Sequence, residues 1–547
     1  MTVAELKTEW YAALMPIVRK SVQTYLDSLP IWERTWLSVI QEVAGVAVAA
    51  VRQCVYDAWK EELEALSEQL GKLCATCGQQ RQCRWRWHTP MKLAVTGEQV
   101  EVPNLYLECR HCKGPGVSII KLLTGLRSGD ASEEQKLLAA YAAAGHSYRE
   151  ASEVLKVHHG RSIEGMKVRR MALEIEKSAM EYAETSRVVA LNRLEQEGEM
   201  ESGPEFLVLQ ADGGTVRTGR LQPLEPDEPG YGKLTPKRKK PRRKRPAEFR
   251  EVITFDVREP GESEASALDL MVPVQSEKNE RSRRMLALAG RKGMGKDTEV
   301  VGLGDMGSGL ADAFQEAFDI YNPSSRWHAD WKHTQDYVHA AAKALVKIDA
   351  EKWERDMRQA IWDRDETRRD ELLEQAGKHR KGGMKPDETQ SPGTEKCPVE
   401  RMTTYLGNNW NHMHYGALRD RDLPFVSARA EAQVRDRTKR RFSGPGVWRV
   451  ENLEPKATLR ALIAEGRWDA FCTYHLEKTR EQFYQGLRER LTAAVAQGRI
   501  RKEVVSTILS SSISTAALTA RGHTLISGTA HRASTGRLAE RPSRPDT

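Results

Sequence analysis

The sequence has no apolar run long enough to cross a membrane. Its longest candidate, residues 43–51, is far shorter than the about 20 residues of a transmembrane helix and is more typical of one face of a buried helix. The first residues also lack the basic, apolar and small-residue regions of a secretory signal peptide. These absences predict a cytoplasmic protein without a membrane partner, associated with the nucleoid if it binds DNA.

Cysteine is also scarce, with eight among 547 residues, which is too few for a disulfide framework. Four of them form two close pairs, Cys74-x-x-Cys77 and Cys109-x-x-Cys112. A two-residue spacer lets a tight turn direct two sulfurs at one ion, and four thiolates suit tetrahedral Zn²⁺. We therefore predict a structural zinc site. Free thiols that are merely close in sequence are the alternative, and a thioredoxin-like redox pair is disfavoured because it needs one such pair in a βαβ unit.

The net charge of +8 is unevenly distributed, because residues 237–245 carry eight cations in nine positions. Such a block lies either in solvent or against a polyanion such as DNA. A second mixed set lies between the cysteine pairs, where Arg84 and Arg86 alternate with Trp85 and Trp87. This set suits a nucleic-acid surface, although the tryptophans can equally cover the zinc site. From the basic block, we predict DNA contacts by Lys237, Arg238, Arg242 and Arg243.

Three short helical segments follow the zinc region. The first has an N-cap signal at Ser132, and the second has a capping box formed by Ser147 and Glu150. The third begins near Ser162 and ends at about Ile175. Capped helices with a short break between them match a helix-turn-helix, with a generic three-helix packing unit as the alternative. In the helix-turn-helix interpretation, the DNA contacts of the third helix are Lys167, Arg169 and Arg170.

Two aspartates follow segments that have the composition of buried strands. Residues 206–211 precede Asp212, and residues 299–304 precede Asp305. Because glycines follow closely, we expect each strand to end at its aspartate. One such aspartate alone would be structural. Two at neighbouring strand ends would repel each other when ionised, so they call for divalent cations, and two cations about 4 Å apart support phosphodiester displacement.

Further motifs lie downstream, and with those above they form an ordered series. A Leu-Pro pair at residues 423–424 opens a segment that contains Glu431, and Asp330 is followed by His333 at the start of a helix. A glycine-rich turn with tryptophan occupies residues 444–448, and Gly-Arg-Trp-Asp occupies residues 466–469. Over residues 70–475 this series resembles the bacterial insertion-sequence transposases of the Kra group, which are distant relatives of the Mutator-like transposases. Those proteins carry a Cys-x-x-Cys pair, a helix-turn-helix and an RNase H-like core with a DDE triad.

The resemblance implies roles for individual residues. Asp212, Asp305 and Glu431 would be catalytic and would bind two Mg²⁺ (or Mn²⁺) ions. Around Glu431 the two glycines and the serine of the family motif are replaced. Asp330 and His333 would be accessory, positioning the scissile phosphate or hydrogen-bonding the triad. The alternative for His333 is a helix-terminal residue satisfied in the core.

The expected architecture is an α+β multidomain chain with an RNase H-like α/β catalytic core. A helical N-terminal region (1–70) precedes a zinc-ribbon-like module (71–128) and a helix-turn-helix domain (129–180). The core covers 200–475, with a basic insertion at 222–247 and a helical insertion at 340–400. We assign no structure to the tail at 507–547, because it is rich in Ser, Thr, Ala and Arg.

The expected function is that of a DNA transposase, which cleaves and joins DNA at the ends of an insertion sequence. Its partners would be double-stranded DNA, both the terminal inverted repeats and the target. Because such reactions bring two DNA ends together, a homo-oligomer on DNA is implied. Two alternatives are a catalytically decayed DNA-binding regulator and a nuclease without strand transfer.

Overall fold

The computed structural model describes most of the chain between residues 73 and 505. The described residues are 16–24, 27, 73–80, 82–95, 98–113, 116–127, 129–159, 163–195, 202–219, 222–229, 231, 243–244, 248–262, 267–272, 279–307, 309–380, 397–442, 448–503 and 505. Of the helical region expected at 1–70, residues 16–24 are helical, and the expectation for the whole region stays a prediction. The rest of that region, the cap expected at Ser162, the cations Lys237, Arg238 and Arg242, and the tail at 507–547 lie outside the described residues. Across the described ranges, no helix combines the length and apolar composition of a membrane span.

The described chain is a mixed α+β structure that divides into two compact units. One unit combines Met1–Gln135 with Leu476–Thr547, and the other is Lys136–His475. The strands are β1 (Gln82–Val95), β2 (Glu98–Glu108), β3 (Val117–Ser118), β4 (Phe206–Thr218), β5 (Gln222–Pro223), β6 (Arg243–Lys244), β7 (Glu248–Arg258), β8 (Ala267–Met271), β9 (Glu299–Gly304) and β10 (Arg326–Ala329). The helices of the first part of the chain are α1 (Ile119–Thr124), α2 (Glu133–Gly145), α3 (Tyr148–His159), α4 (Gly165–Glu195), α5 (Glu280–Arg291) and α6 (Leu310–Phe318).

The helices after the last strand form most of the remaining structure. They are α7 (Trp331–Lys343), α8 (Ala350–Asp363), α9 (Glu366–Lys378), α10 (Pro398–Asn409), α11 (Tyr415–Asp420), α12 (Ala428–Gln433), α13 (Arg440–Phe442), α14 (Val450–Ala464) and α15 (Trp468–Ala496). A 3₁₀ turn covers Trp410–His412, and a π-helix covers Val434–Lys439 between α12 and α13. The π-helix is notable because such segments are rare and often occur at functional sites.

The first unit contains the cysteine pairs beside a small antiparallel sheet. Strands β1 and β2 form a long hairpin whose register shifts between Arg86 and Met91, and β3 pairs with the end of β2. The guanidinium of Arg490 on α15 donates hydrogen bonds to the carbonyls of Leu122 and Leu123 at the end of α1. The C-terminal half of α15 thus completes the hydrophobic core of this unit, which includes Leu105, Leu107, Ile119, Ile120, Leu487 and Leu491.

The second unit is built on a five-stranded sheet with the order β10-β9-β4-β7-β8. Strands β4, β9 and β10 are parallel, whereas β7 runs antiparallel to both of its neighbours. Ala211 of β4 pairs with Gly304 of β9, and Gly304 pairs with Ala329 of β10. These three residues form one row across the parallel strands. The next residue along each strand is an aspartate: Asp212, Asp305 and Asp330.

The two faces of this sheet are covered by different helices. Side chains alternate along β4, so Leu207, Leu209 and Ala211 face one core, which α5 and α6 complete. Val208 faces the other side and packs with Leu418. Farther along this second face, residues of β7 and β8 pack against α13 and α14. Position 212 is therefore on the face that the segment between α11 and α14 covers.

Two expectations about the strands have different outcomes. The expectation that the second strand ends immediately before Asp305 is confirmed, since β9 ends at Gly304. The expectation that the first strand ends at Asp212 is wrong, because β4 continues to Thr218 and residues 212–218 pair with residues 248–254 of β7. Gly214 serves packing rather than a turn: a Cβ atom there would lie 2.9 Å from Cγ1 of Val434 in the π-helix.

The helices expected before the sheet are present, and the last of them is longer than expected. The N-caps are confirmed: Ser132 Oγ accepts from the Gln135 N–H at 3.2 Å, and the Ser147–Glu150 capping box forms in both directions. The prediction that the third helix ends at about Ile175 is wrong, because α4 extends to Glu195. Apolar side chains continue at helical spacing beyond residue 175 and are buried, among them Ala179, Ala190 and Leu194.

A helical region separates β10 from α12. Its helices run from residue 331 to residue 420, which is wider than the insertion expected at 340–400. It begins so early because the Asp330 side chain caps α7 directly after β10. The region has a hydrophobic core of its own, to which Trp353, Met357, Ile361 and Leu406 belong.

Candidate active site

The row of three aspartates on neighbouring parallel strands forms the centre of the candidate site. The sheet ladder continues to its end, where the Asp330 N–H donates to the Gly304 carbonyl at 3.1 Å. Gly304 allows the strands to pack here, because a Cβ atom would lie 2.4 Å from the Ala211 carbonyl oxygen and 2.7 Å from Cζ2 of Trp327. Adjacent parallel strands lie about 4.8 Å apart, so the register places the three aspartates side by side in one row.

Asp330 has a positioning role in this structure. Its side chain is fully buried. Oδ1 accepts a hydrogen bond from the His333 N–H at 2.9 Å, and Oδ2 accepts one from the Ser427 N–H. The Trp331 N–H donates to the Phe425 carbonyl at 3.0 Å. One carboxylate therefore fixes the first turn of α7 and the start of α12, which is the helix that carries Glu431.

Gln210 makes a second attachment to the same segment, and the sequence analysis did not select it. It lies two residues before Asp212 on the same face of β4, and its side chain is only 1% exposed. Its Nε2 donates to the Val426 carbonyl at 3.2 Å, and its Oε1 accepts from the Ala430 N–H at 3.3 Å. A polar residue in an otherwise apolar buried strand was the available signal, since a buried amide needs partners.

The side chains of Glu431 and His333 lie close to each other, beside the segment that Asp330 and Gln210 hold. His333 Nε2 lies 3.8 Å from Glu431 Oε1, and both side chains are partly exposed. Ligand atoms of Asp330, His333 and Glu431 all lie within 4.8 Å of one another, so this group can hold a divalent metal ion. Among the described residues, Asp212 and Asp305 belong to no such group of three.

Asp212 is electrostatically coupled to Glu431 and His333. Burial raises the pKa of Asp212, and the negative charge of Glu431 raises it further. A hydrogen bond from the Gly213 N–H, at 2.7 Å, and the charges of His333 and Lys439 act in the opposite direction. A half-buried carboxylate beside a second carboxylate favours a divalent cation, because the cation offsets both charges.

Two tyrosines lie beneath the start of α7. The Tyr415 hydroxyl lies 2.8 Å and the Tyr405 hydroxyl 3.4 Å from Thr334 Oγ1, and both side chains are buried. Burial raises the pKa of Tyr405, and the charges of Asp305 and Asp330 raise it further. Both hydroxyls therefore remain protonated at neutral pH and are available as hydrogen-bond donors. No periodic pattern or motif in the sequence indicated these two residues.

The four predicted cysteine ligands come together in the first unit. Cys74 Sγ lies 3.6 Å from Cys112 Sγ, and Cys77 Sγ lies 3.6 Å from Cys109 Sγ. All four sulfurs lie within 4.8 Å of one another. Zn–S bonds of about 2.3 Å in a tetrahedron place sulfurs about 3.8 Å apart, so this cluster can bind zinc. A hydrogen bond from the Cys112 N–H is the largest cause that lowers the pKa of Cys109.

The candidate DNA-contacting residues lie on several elements. Lys167, Arg169 and Arg170 occupy the first turns of α4, where Arg170 is exposed and the other two are partly exposed. The backbones of α3 and α4 meet closely, since a Cβ atom on Gly165 would lie 3.3 Å from the Tyr148 carbonyl oxygen. The remaining candidates lie on strands: Arg84 and Arg86 on β1, and Arg243 on β6.

Helix α14 joins the α2–α4 helices to the sheet. Lys456 Nζ lies 2.6 Å from Glu176 Oε1, with both side chains fully buried, and it donates to the Ala143 carbonyl at 3.2 Å. One turn later, Arg460 donates to the Ala144 carbonyl and, at 3.0 Å, to the Asp436 carbonyl of the π-helix. Helix α4, which carries the candidate DNA contacts, therefore belongs to the same compact unit as the carboxylates.

Comparison with known proteins does not identify the chain. No protein-family model matches it, and no curated protein matches it. Among solved structures it is similar to a Drosophila P element transposase strand transfer complex, with a TM-score of 0.26 and 11% sequence identity, covering 63% of this chain and 95% of that chain. A likeness of this degree decides neither fold nor function, so membership of the Kra group stays a prediction.

Proposed function

We propose that this chain is a DNA transposase that cleaves and joins DNA by divalent-metal catalysis. The observation that carries the proposal is the row of three aspartates on neighbouring parallel strands, Asp212 within β4 and Asp305 and Asp330 directly after β9 and β10, with the Glu431 helix held beside that row by Asp330 and Gln210. The mixed five-stranded sheet, with β7 against the direction of its neighbours, supports an RNase H-like interpretation of the core. The motif resemblance to the Kra group is the second support.

In this proposal Asp212, Asp305 and Glu431 hold two Mg²⁺ or Mn²⁺ ions. Their carboxylates suit hard divalent cations, and the raised pKa of Asp212 beside Glu431 is the property that a cation would offset. When bound, such ions activate a water or a 3′-hydroxyl and stabilise the leaving oxygen. The chain's own contribution is positional, because Gln210 and Asp330 fix the helix that presents Glu431, while Lys439 adds positive charge near Asp212.

Elements other than the carboxylate row would recognise and hold the DNA. Helices α2–α4 would act as a helix-turn-helix that reads the terminal inverted repeats, with the cations of α4 towards the phosphates. Arg84, Arg86 and the basic insertion at 222–247 would add phosphate contacts, and a Zn²⁺ ion would stabilise the four-cysteine cluster. Assembly of a homo-oligomer would bring two element ends and a target duplex together.

A strand-transfer assay tests this proposal. The purified full-length chain is incubated with Mg²⁺ or Mn²⁺ and donor DNA from both flanks of its own gene, together with a target duplex. Asp305→Asn should abolish cleavage and joining while DNA binding persists. Asp312→Asn, an exposed aspartate on α6, is the matched control and should leave all three intact. Joining by Asp305→Asn at the wild-type rate would refute the proposed triad.

The same assay separates the two alternative functions. Binding without cleavage under both metals would favour a decayed regulator, which the replaced residues around Glu431 motivate. Cleavage without joining to a second duplex would favour a nuclease.

A further inference from the structure

The group formed by Asp330, His333 and Glu431 differs chemically from a magnesium site. Two of its side chains offer carboxylate oxygens and the third offers an imidazole nitrogen, and the ligand atoms lie within 4.8 Å of one another. Mg²⁺ prefers an all-oxygen octahedral shell at about 2.1 Å, whereas imidazole favours transition-metal ions. The nitrogen ligand is therefore the feature that distinguishes this position.

We propose that Asp330, His333 and Glu431 form a binding site for a divalent transition-metal ion, with His333 Nε2 as a direct ligand. Mn²⁺, Fe²⁺, Co²⁺ and Zn²⁺ are the class of ion that accepts two carboxylates and one imidazole. Mg²⁺ binds this position more weakly. The metal site itself stands on the geometry of these three residues, and only its use in DNA chemistry rests on the proposed function.

The separation of the two partly exposed ligands fits one shared ion. Two ligand atoms that are each about 2.1 Å from an ion lie about 3.0–4.2 Å apart, depending on the angle between them. The observed distance from His333 Nε2 to Glu431 Oε1 is 3.8 Å. This pair can therefore bind one ion with only small side-chain adjustments.

Asp330 holds the other two ligands at this spacing. Oδ1 accepts the backbone N–H of His333, and Oδ2 accepts the backbone N–H of Ser427, which lies one helical turn before Glu431. The Glu431 N–H in turn donates to the Ser427 carbonyl at 3.1 Å. Each oxygen of an ionised carboxylate has a second acceptor position, so these hydrogen bonds leave Asp330 able to bind a metal ion.

The two carboxylates of the group also favour a cation here. Carboxylate oxygens of Asp330 and Glu431 lie within 4.8 Å of each other. A divalent ion at this position offsets the mutual repulsion of these two carboxylates.

Direct metal binding is the test, with Mn²⁺ as the probe and the full-length chain as the sample. The four-cysteine cluster is first loaded with one equivalent of Zn²⁺, because four thiolates bind zinc more tightly than two carboxylates and one imidazole do. Electron paramagnetic resonance then follows the loss of free Mn²⁺, and pulsed measurements detect ¹⁴N coupling from a bound imidazole. We expect ¹⁴N coupling in the wild type and a Mn²⁺ affinity at least about tenfold above that for Mg²⁺ in competition.

Substitutions of two histidines on α7 test whether His333 is the nitrogen ligand. His333→Gln should remove the ¹⁴N coupling and weaken Mn²⁺ binding by about 10- to 100-fold. His333→Asp should remove the coupling and reduce the preference for Mn²⁺ over Mg²⁺, because it supplies oxygen instead of nitrogen. His339→Gln is the matched control: this exposed residue of α7 pairs with Glu354 at 3.1 Å, and its loss should change neither quantity. Circular dichroism melting confirms that each variant is folded.

The outcomes separate this inference from the proposed function. Absence of ¹⁴N coupling in the wild type, or equal competition by Mg²⁺, overturns the inference even if DNA is joined. His333-dependent Mn²⁺ binding supports the inference even if no DNA is cleaved, and in that case only the transposase proposal fails. If His333→Gln does not fold, the wild-type coupling and the His333→Asp variant still decide.

Discussion

The attachment of the Glu431 helix to the sheet through Gln210 gives a quantitative prediction. Gln210→Met keeps the volume and burial of the side chain but removes both hydrogen bonds, to the Val426 carbonyl at 3.2 Å and from the Ala430 N–H at 3.3 Å. Ala430 is fully buried, so leaving its N–H unsatisfied costs about 1–3 kcal/mol of stability. The Val426 carbonyl is partly exposed, so loss of its hydrogen bond costs about 0.5–1.5 kcal/mol. Together the change should weaken the docking of residues 425–433 by about 2–4 kcal/mol.

Hydrogen–deuterium exchange measures this local free energy directly. At about 1.4 kcal/mol per tenfold, amides of residues 425–433 should exchange about 30- to 700-fold faster in Gln210→Met, with peptides of α14 as the internal reference. Gln315→Met on α6 is the matched control, because its side-chain amide donates to Asp319 on an exposed helix surface, at 3.0 Å. Metal affinity at Glu431 should fall in parallel. Exchange that rises less than about threefold would refute the claim that Gln210 holds this segment.

Burial raises the pKa of Asp212, so the ionised side chain lowers the free energy of unfolding at neutral pH. This loss disappears as the pH falls through the raised pKa and below the pKa that Asp212 has in the unfolded chain. In metal-free buffer, Asp212→Asn should therefore raise the melting temperature at pH 7.5, and the gain should shrink as the pH falls to 4.5; a gain independent of pH would contradict this. Lys456→Met leaves the Glu176 carboxylate buried without its counter-charge and should lower the free energy of unfolding by about 3–5 kcal/mol in urea denaturation. Adding Glu176→Leu should restore most of that loss, and a double variant less stable than the single one would count against the argument. Gly304→Ala places a Cβ atom 2.4 Å from a carbonyl oxygen of β4 and should destabilise the chain by about 1–3 kcal/mol, whereas Gly407→Ala, which meets open space, should not.

Local signals in the sequence determined several features of the fold. The capping box of Ser147 and Glu150 was predictable because each side chain satisfies a backbone group of the other residue without any tertiary contact. The end of β9 was also predictable, since an apolar run stops directly at Asp305. The cysteine spacing led to the cluster that can hold zinc, because two short turns are sufficient to aim the sulfurs.

Features that depend on tertiary contacts were not predictable from the sequence. The glycines after Asp212 suggested a turn, yet they lie in a strand because β7 supplies a paired partner and the π-helix needs the space at Gly214. Helix α4 continues because its later residues are buried by elements far along the chain. A polar residue in an apolar strand could indicate that Gln210 needs hydrogen-bond partners, but those partners lie more than 200 residues away, so no local pattern could have identified them.

Because Ala211, Gly304 and Ala329 form one row of the sheet, the positions of the carboxylates do not depend on the lengths of the segments that connect these strands and α12. The ladder sets where each following aspartate lies, and the docking of α12 sets where Glu431 lies, so the helical region between β10 and α12 contributes no spacing constraint. Homologous chains can therefore lengthen or shorten the part of that region after α7 without moving the carboxylates. A search for distant homologues should accordingly require three aspartates in one row of three parallel strands, the first within its strand and the other two directly after theirs, and should leave the number of residues between them unrestricted.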